Sequence, residues 1–193
     1  MVLWDIMGQA SGRHTALPDN LFFPDSTPTP QDVVQGSLDS RADQFRYFQL
    51  KPGKGYIRDI DEEIEQIEAV AAIRESGDGT MVDANTNWIQ TEAIRAAKVL
   101  RDLPTIIEQP CRTREECIAF TRHCSLPIKL DELMETPQDI IRVFEAGILD
   151  VVAIKITRVG ALNRVREMRD LVLDLGLSVV ADDACDSEIV SSP

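Results

Sequence analysis

Four short apolar runs in this chain each end in a charged residue, and the interval between these residues is nearly constant. The residues are Asp83, Glu108, Asp131 and Lys155, and successive members lie 25, 23 and 24 residues apart. An interval of roughly this length accommodates one strand, one helix and the two loops that join them. Repeated units of this kind build a sheet of parallel strands, whose carboxyl ends converge on one site. We therefore expect an α/β fold with these side chains at one end of the sheet.

The composition is that of a globular protein with an acidic surface, since 44% of the 193 residues are hydrophobic and the formal net charge is −13. Such a charge repels phosphate backbones, so we expect no nucleic-acid partner. No apolar run reaches about 18 residues, and no basic region precedes the first apolar residues, so neither a membrane partner nor a secretory signal is expected. The cysteines, which form no C-x-x-C pair, predict free thiols in a cytoplasmic protein; they are Cys111, Cys117, Cys124 and Cys185.

The hydrophobic pattern predicts six strands that alternate with helices along most of the chain. The strands are expected at 45–51, 80–83, 104–108, 127–131, 150–155 and 177–182. Helices are expected from Asp59 to near Gly77, from about Thr91, and over 113–124, 137–146 and 161–174. Because a closed eight-stranded barrel needs about 250 residues, the sequence predicts a partial (β/α) barrel whose closure is missing.

The first 44 residues lack this rhythm. A short helix is expected over 1–12, an irregular segment over the proline-rich residues 17–32, and a further short helix over 31–40. We therefore divide the chain into an N-terminal helix with a proline-rich irregular segment, residues 1–44, and an incomplete barrel domain with a metal site, residues 45–193.

Three of the strand-end residues predict a metal site. Asp83, Glu108 and Asp131 supply hard oxygen ligands, which Mg²⁺ prefers. Carboxylates that cap helices or lie on loops are the alternative. Three of them at barrel-unit intervals, each after an apolar run, favour a shared divalent cation.

Two lysines predict acid/base chemistry beside that cation. Lys51 and Lys155 both end apolar strands, and a lysine at the end of a buried strand needs a polar cavity for its ammonium group. Close to a divalent cation such a lysine loses its proton more readily and becomes a usable base. A salt bridge at the rim of the site is the alternative interpretation.

These residues stand in motifs that resemble the enolase superfamily, in its mandelate racemase and muconate lactonizing enzyme group. The main motifs are Val82-Asp83-Ala84-Asn85, Ile107-Glu108-Gln109-Pro110, Leu130-Asp131-Glu132 and the Lys155-Ile156-Thr157-Arg158-Val159-Gly160 run. The form Phe48-Gln49-Leu50-Lys51, together with Cys111 after Pro110, is most similar to cis-3-hydroxyproline dehydratase-like members.

The resemblance implies roles for individual residues. Asp83, Glu108 and Asp131 would bind Mg²⁺, and Lys51 and Lys155 would act as acid and base on opposite faces of a small carboxylate substrate, an amino acid or a hydroxy acid. The reaction would remove the proton α to the carboxylate and form an enediolate, as in lyases and epimerases of the family. Asn85 and Glu132 would support the metal ligands. Separately from the resemblance, the open sheet edges of an incomplete barrel favour association into a homo-oligomer.

The sequence also departs from the family. We expect the capping domain to be missing and the first barrel strand to be replaced by the proline-rich segment. A truncated, catalytically inactive fragment, or a non-enzymatic partner of a related barrel protein, is therefore the alternative to an active enzyme. Asp182 and Asp183 end the last predicted strand, where substrate contact and a solvated loop are both open.

Overall fold

A computed structural model gives the arrangement of most of the barrel portion. The residues it describes are 21–22, 34–35, 38, 47–52, 59–76 and 78–182. The helix predicted over 1–12, residue Asp183 and the side chain of Asp182 lie outside the described part of the chain. Residues 34, 35 and 38 are helical, in agreement with the helix predicted over 31–40. The division at residue 44 stays a prediction.

Within the described ranges, seven parallel strands form one sheet in which the spatial order follows the chain order, β1 to β7. They are β1 Leu21–Phe22, β2 Tyr47–Leu50, β3 Gly79–Asp83, β4 Thr105–Glu108, β5 Ile128–Leu130, β6 Val151–Lys155 and β7 Ser178–Asp182. From β2 onward, helical segments connect successive strands. They are α1 Ile60–Ala72, α2 Gln90–Leu100, α3 Arg114–Thr121, α4 Pro137–Glu145, α5 Ile156–Val159 and α6 Leu162–Asp174. The expected partial (β/α) barrel with its six predicted strands is confirmed.

The strand β1 corrects the irregular segment predicted over 17–32. Leu21 and Phe22 pair in parallel with Tyr47 and Phe48 of β2. Prolines surround this pair in the sequence, but neither residue is itself a proline. Both therefore keep the N–H group that a sheet hydrogen bond needs. The sheet thus contains one short strand more than the sequence predicts.

Helix caps follow the sequence closely at two starts, and one helix ends early. The side chain of Asp59 accepts a hydrogen bond from Asp61 N, and that of Thr136 accepts one from Asp139 N. The helix predicted to reach near Gly77 ends at Ala72 instead. Asp78 competes for the backbone there, because its carboxylate accepts a hydrogen bond from Glu75 N at 2.9 Å.

The two faces of the sheet are chemically different because side chains alternate along a strand. One face carries apolar residues, and these pack under the helices in a continuous core; examples are Val82, Ile107, Leu130, Val152 and Ile154. The opposite face carries the charged and amide side chains at the strand ends. No helix within the described ranges combines the length and apolar character needed to cross a membrane.

Candidate active site

The carboxyl ends of β2 to β6 bring the predicted residues into one row. Lys51 follows β2, Asp83 and Glu108 end β3 and β4, Asp131 follows β5, and Lys155 ends β6. Asp83 and Glu108 are direct neighbours in the sheet register. Three carboxylates therefore stand side by side, with one lysine at each end of the row.

The carboxylates are buried and the lysines reach them from a more open position. Asp83, Glu108 and Asp131 are each 1% exposed, whereas the side chains of Lys51 and Lys155 are 20% and 19% exposed. Lys51 Nζ lies 2.7 Å from Asp83 Oδ2. Lys155 Nζ lies 2.8 Å from Asp131 Oδ2. Each end of the acid row is thus closed by an ammonium group that solvent or a ligand can reach.

Glu108, at the centre of the row, contacts a cation and an amide. Lys129 Nζ lies 3.0 Å from its Oε1 atom. Gln49 Nε2 donates hydrogen bonds to Glu108 Oε2 at 3.2 Å and to Asp83 Oδ2 at 2.9 Å. Two carboxylates from different strands therefore share one donor nitrogen.

The loop after β3 holds Asp83 in place through Asn85. Asn85 has a φ of 45°, in the left-handed region that asparagine tolerates better than most residues. In this conformation its backbone N–H donates to Asp83 Oδ1 at 2.9 Å. Its side-chain nitrogen donates to Asp83 Oδ2 at 3.1 Å and to Glu132 Oε1 at 3.3 Å. Asn85 thus links Asp83 to the residue that follows Asp131.

A short helical turn after β6 adds Arg158 to the site. The turn α5 ends at Gly160, whose φ of 81° suits the left-handed position that closes a helix. Arg158 Nη1 donates to both the backbone oxygen and Oδ1 of Asp131, each at 2.6 Å. Asp131 therefore contacts two cationic side chains, Lys155 at the end of β6 and Arg158 in the turn that follows it.

These contacts shift the pKa values of Asp131 and its neighbours in opposite directions. Burial alone would raise the pKa of Asp131, but the hydrogen bonds and charges of Arg158 and Lys155 outweigh it and hold that pKa below its usual value. Asp131 in turn raises the pKa of Arg158 against the effect of burial. Burial and the negative charge of Asp131 raise the pKa of Glu132. Asp131 therefore loses its proton more readily than a free aspartate, while Glu132 holds a proton more readily than a free glutamate.

The structure brings the five predicted site residues together. The acids Asp83, Glu108 and Asp131 and the lysines Lys51 and Lys155 lie together at the predicted end of the sheet. Within the described residues, however, no group of three or more Asp, Glu, His or Cys side chains is arranged to hold a metal ion. Lysine, arginine and amide groups contact the carboxylate oxygens instead. The assignment of these residues as metal ligands and catalytic lysines thus stays a prediction.

The donor chemistry nevertheless fits a divalent cation. Three buried carboxylates at the ends of three neighbouring strands provide hard oxygen atoms, which Mg²⁺ prefers. The side-chain contacts that occupy those oxygens come from three lysines, from Arg158 and from the amides of Gln49 and Asn85. A cation could replace these contacts if the side chains rotate away, with the backbone unchanged.

Three residues of the site were not assigned a role from the sequence. Gln49 and Lys129 lie two positions before Lys51 and Asp131, and the two-residue period of a strand would have placed each pair on one face. The role of Arg158 depends on the short turn α5, which the sequence did not predict. Only the fold brings its guanidinium back to Asp131.

Comparison with known proteins identifies the family. Residues 33–191 match the model described as "Enolase C-terminal domain-like". The chain belongs to this family, within the mandelate racemase and muconate lactonizing enzyme group of the enolase superfamily. The resemblance of the strand-end motifs to the enolase superfamily is therefore confirmed.

Individual relatives agree with this assignment. A cis-3-hydroxy-L-proline dehydratase from Roseibium aggregatum is 30% identical over 98% of this chain and 53% of its own length. An o-succinylbenzoate synthase from Mycolicibacterium smegmatis is 32% identical over 65% of this chain and 39% of its own. The chain thus spans about half the length, or less, of these curated relatives.

Solved structures of the same group share the fold. A putative mandelate racemase/muconate lactonizing enzyme from Roseovarius nubinhibens ISM, solved with magnesium, has a TM-score of 0.86 and 26% identity, over 97% of this chain and 54% of that one. A mandelate racemase/muconate lactonizing enzyme from the same organism has a TM-score of 0.81 and 32% identity, over 97% and 53%.

Proposed function

We propose that this chain provides the chemistry of a magnesium-dependent enzyme that removes the proton α to a carboxylate group. The order of side chains across five neighbouring strands, lysine, aspartate, glutamate, aspartate, lysine, carries the proposal. A cation in the middle of such a row would bind a substrate carboxylate. The α-carbon of that substrate would then lie between two lysines.

In this proposal Asp83, Glu108 and Asp131 would hold the Mg²⁺ ion. When bound, the ion would supply positive charge that stabilises the negative charge developing on the substrate carboxylate. Gln49 and Asn85 would keep the first two carboxylates oriented, and Arg158 would hold the third. Four cationic side chains, Lys51, Lys129, Lys155 and Arg158, already outnumber the three carboxylates of the row. Occupation by a cation would therefore release the two terminal lysines from their carboxylates.

Lys51 and Lys155 would then exchange protons with the substrate. One of them, as the neutral amine, would take the α-proton and leave an enediolate. In an epimerase the other ammonium would return a proton to the opposite face. In a dehydratase acting on a 3-hydroxylated substrate, an acid would instead protonate the departing hydroxyl.

The proposed substrate is cis-3-hydroxy-L-proline or a similar small amino acid. Support comes from the 30% identity to a dehydratase of that specificity, which extends over nearly the whole chain. Because the chain covers about half of that relative, activity and substrate are both proposals. We also propose a cytoplasmic location, in keeping with the free thiols of Cys111, Cys117 and Cys124.

The test is exchange of the α-proton in deuterated water, followed by proton NMR with and without Mg²⁺. Cis-3-hydroxy-L-proline should lose its α-proton signal only when Mg²⁺ is present. Asp83→Asn, Glu108→Gln and Asp131→Asn should each abolish the exchange and weaken Mn²⁺ binding in calorimetry. Asp102→Asn, at an aspartate whose side chain is 83% exposed, is the matched control and should change neither.

The outcomes separate the proposal from its alternative. Metal binding without exchange on any of a panel of amino and hydroxy acids would favour an inactive fragment. Failure of the wild-type chain to bind Mn²⁺ would contradict the metal site itself.

A further inference from the structure

Gln109, the residue after Glu108, is a fully buried amide beside the acid row. Its exposed fraction is 0%, and its φ of 37° places it in the left-handed region that few non-glycine residues adopt. Such a conformation persists only where the surrounding contacts impose it. The hydrogen bonds of Gln109 therefore indicate the structural role of this residue.

The polar groups of Gln109 bind three different loops. Its backbone oxygen accepts from Thr86 N at 2.9 Å, in the loop after β3, and its backbone N–H donates to Lys129 O at 2.9 Å. Its side-chain Oε1 accepts from Asp131 N at 3.0 Å and, more distantly, from Leu133 N at 3.5 Å. Its Nε2 donates to Cys111 O at 3.0 Å, in its own loop.

The three loops are those that follow the three carboxylates. The loop after β3 carries the Asn85 that orients Asp83, the loop after β4 begins at Gln109, directly after Glu108, and the loop after β5 begins at Asp131. The hydrogen bond from Asp131 N to the amide fixes the backbone from which the Asp131 carboxylate projects. One side chain thus sets the relative position of Glu108 and Asp131.

We propose that Gln109 is the positioning residue of the site, which holds Asp131 at the distance from Glu108 that a shared cation requires. The inference rests on the proposed function, because it assigns Gln109 a purpose within that metal site. Gln109 touches none of the reacting atoms, so its effect passes through Asp131. Replacing a residue that orients a metal-ligating side chain through hydrogen bonds typically lowers metal affinity by about 10- to 100-fold.

The test compares Gln109→Met with a variant that loses a buried hydrogen bond at the far end of β4, the strand that precedes Gln109. Methionine has a similar length but offers no amide, so the bonds to Asp131 N and Cys111 O disappear. The matched control is Thr105→Val, because Thr105 Oγ1 donates to Thr80 O at 3.0 Å in a buried position at the opposite end of β4. Both variants lose buried side-chain hydrogen bonding to the backbone, but only Gln109→Met loses it at the acid row.

Two measurements test the proposal, amide hydrogen exchange and Mn²⁺ affinity. In Gln109→Met, hydrogen–deuterium exchange of the Asp131 amide should rise at least about tenfold, and Mn²⁺ affinity by calorimetry should fall about 10- to 100-fold. In Thr105→Val both should stay at the wild-type values. Gln109→Glu keeps the acceptor for Asp131 N and should retain slow exchange of that amide, which provides a second variant if Gln109→Met does not fold.

Each outcome decides the inference. Wild-type Mn²⁺ affinity in Gln109→Met, or an equal loss of affinity in Thr105→Val, would overturn it. Fast exchange of the Asp131 amide in Gln109→Glu would also overturn it. If the wild-type chain bound no Mn²⁺, the proposed function would fail, and the exchange of the Asp131 amide would still decide whether Gln109 positions this residue.

Discussion

The ammonium group of Lys129 lies 3.0 Å from Oε1 of Glu108, and neither side chain is more than 3% exposed. The two residues are register partners on β5 and β4. Taking both charges out of water is costly, and their attraction offsets that cost only while both are present. The centre of the acid row is therefore neutralised by a lysine within the sheet, separately from the two lysines at its ends.

Replacing Lys129 with methionine should destabilise the fold strongly. The aliphatic part of the side chain is kept, but the buried Glu108 carboxylate loses its countercharge, which typically costs about 3–5 kcal/mol. The free energy of unfolding from urea denaturation measures the effect. The double variant with Glu108→Gln removes both charges and should recover much of the loss. A Lys129→Met protein as stable as the wild type would show that the pair is not the source of stability.

Replacing Trp88 with phenylalanine should also lower stability, by about 1–3 kcal/mol. Trp88 is 1% exposed, and its Nε1 donates to Glu63 Oε2 on α1 at 2.7 Å. Phenylalanine fills much of the space but removes the donor from a buried carboxylate. Urea denaturation measures the loss in the free energy of unfolding. The double variant Trp88→Phe with Glu63→Gln should lose less than the sum of the losses in the two single variants. Full additivity of the two losses would contradict the contact.

Replacing Glu132 with glutamine should stabilise the protein at neutral pH. Burial and the neighbouring charges raise the pKa of Glu132 in the folded state. Its contribution to stability is therefore complete below the pKa of an unfolded glutamate, about 4.3, and is lost as the pH rises through the folded-state pKa. Glutamine avoids this loss and can still accept from Asn85. The gain, measured by urea denaturation across the pH range, should vanish in acid.

Asp131→Asn is the matched control with the opposite sign. Because Arg158 and Lys155 lower the pKa of Asp131, its ionised form stabilises the fold above the unfolded pKa of about 3.9. That stability is lost as the pH falls through the folded-state value. Asparagine should therefore destabilise the protein at neutral pH, and the difference from wild type should shrink in acid. The same pH trend in both variants would contradict the assigned shifts.

The strands and the acid row were predictable because they follow from local chemistry. An apolar run that ends at Asp83 or Glu108 predicts a strand whose last side chain lies on the face opposite the apolar core. The repeated interval between such runs predicts that the strands are parallel neighbours. Thr136 followed by Pro137 likewise marks a helix start through backbone preferences alone. Predictions of this kind need no knowledge of which residues are in contact.

The contacts that neutralise the row were not predictable in the same way. Lys129 meets Glu108 because of the register between β4 and β5, and Arg158 meets Asp131 because of the short helical turn that follows β6. Gln109 was visible only as part of a motif, since its role depends on a backbone conformation and on atoms of two other loops. These relationships depend on tertiary packing, which a single sequence does not specify.

The two end lysines should be required for chemistry without being required for the metal. Lys51 and Lys155 contact Asp83 and Asp131 at the edges of the row, so removing either ammonium takes away a competitor for a carboxylate rather than a ligand. Lys51→Ala and Lys155→Ala should therefore bind Mn²⁺ at least as tightly as the wild type. In any preparation of this chain that shows α-proton exchange, each should lose about 10²- to 10⁴-fold in rate, the usual contribution of a general acid or base.

Calorimetry and proton NMR on the same samples measure the two effects, and Lys98→Ala, at an exposed lysine on α2, should alter neither. Exchange in Lys155→Ala at the wild-type rate would remove this lysine from the base role, whereas loss of Mn²⁺ binding would make it part of the metal site.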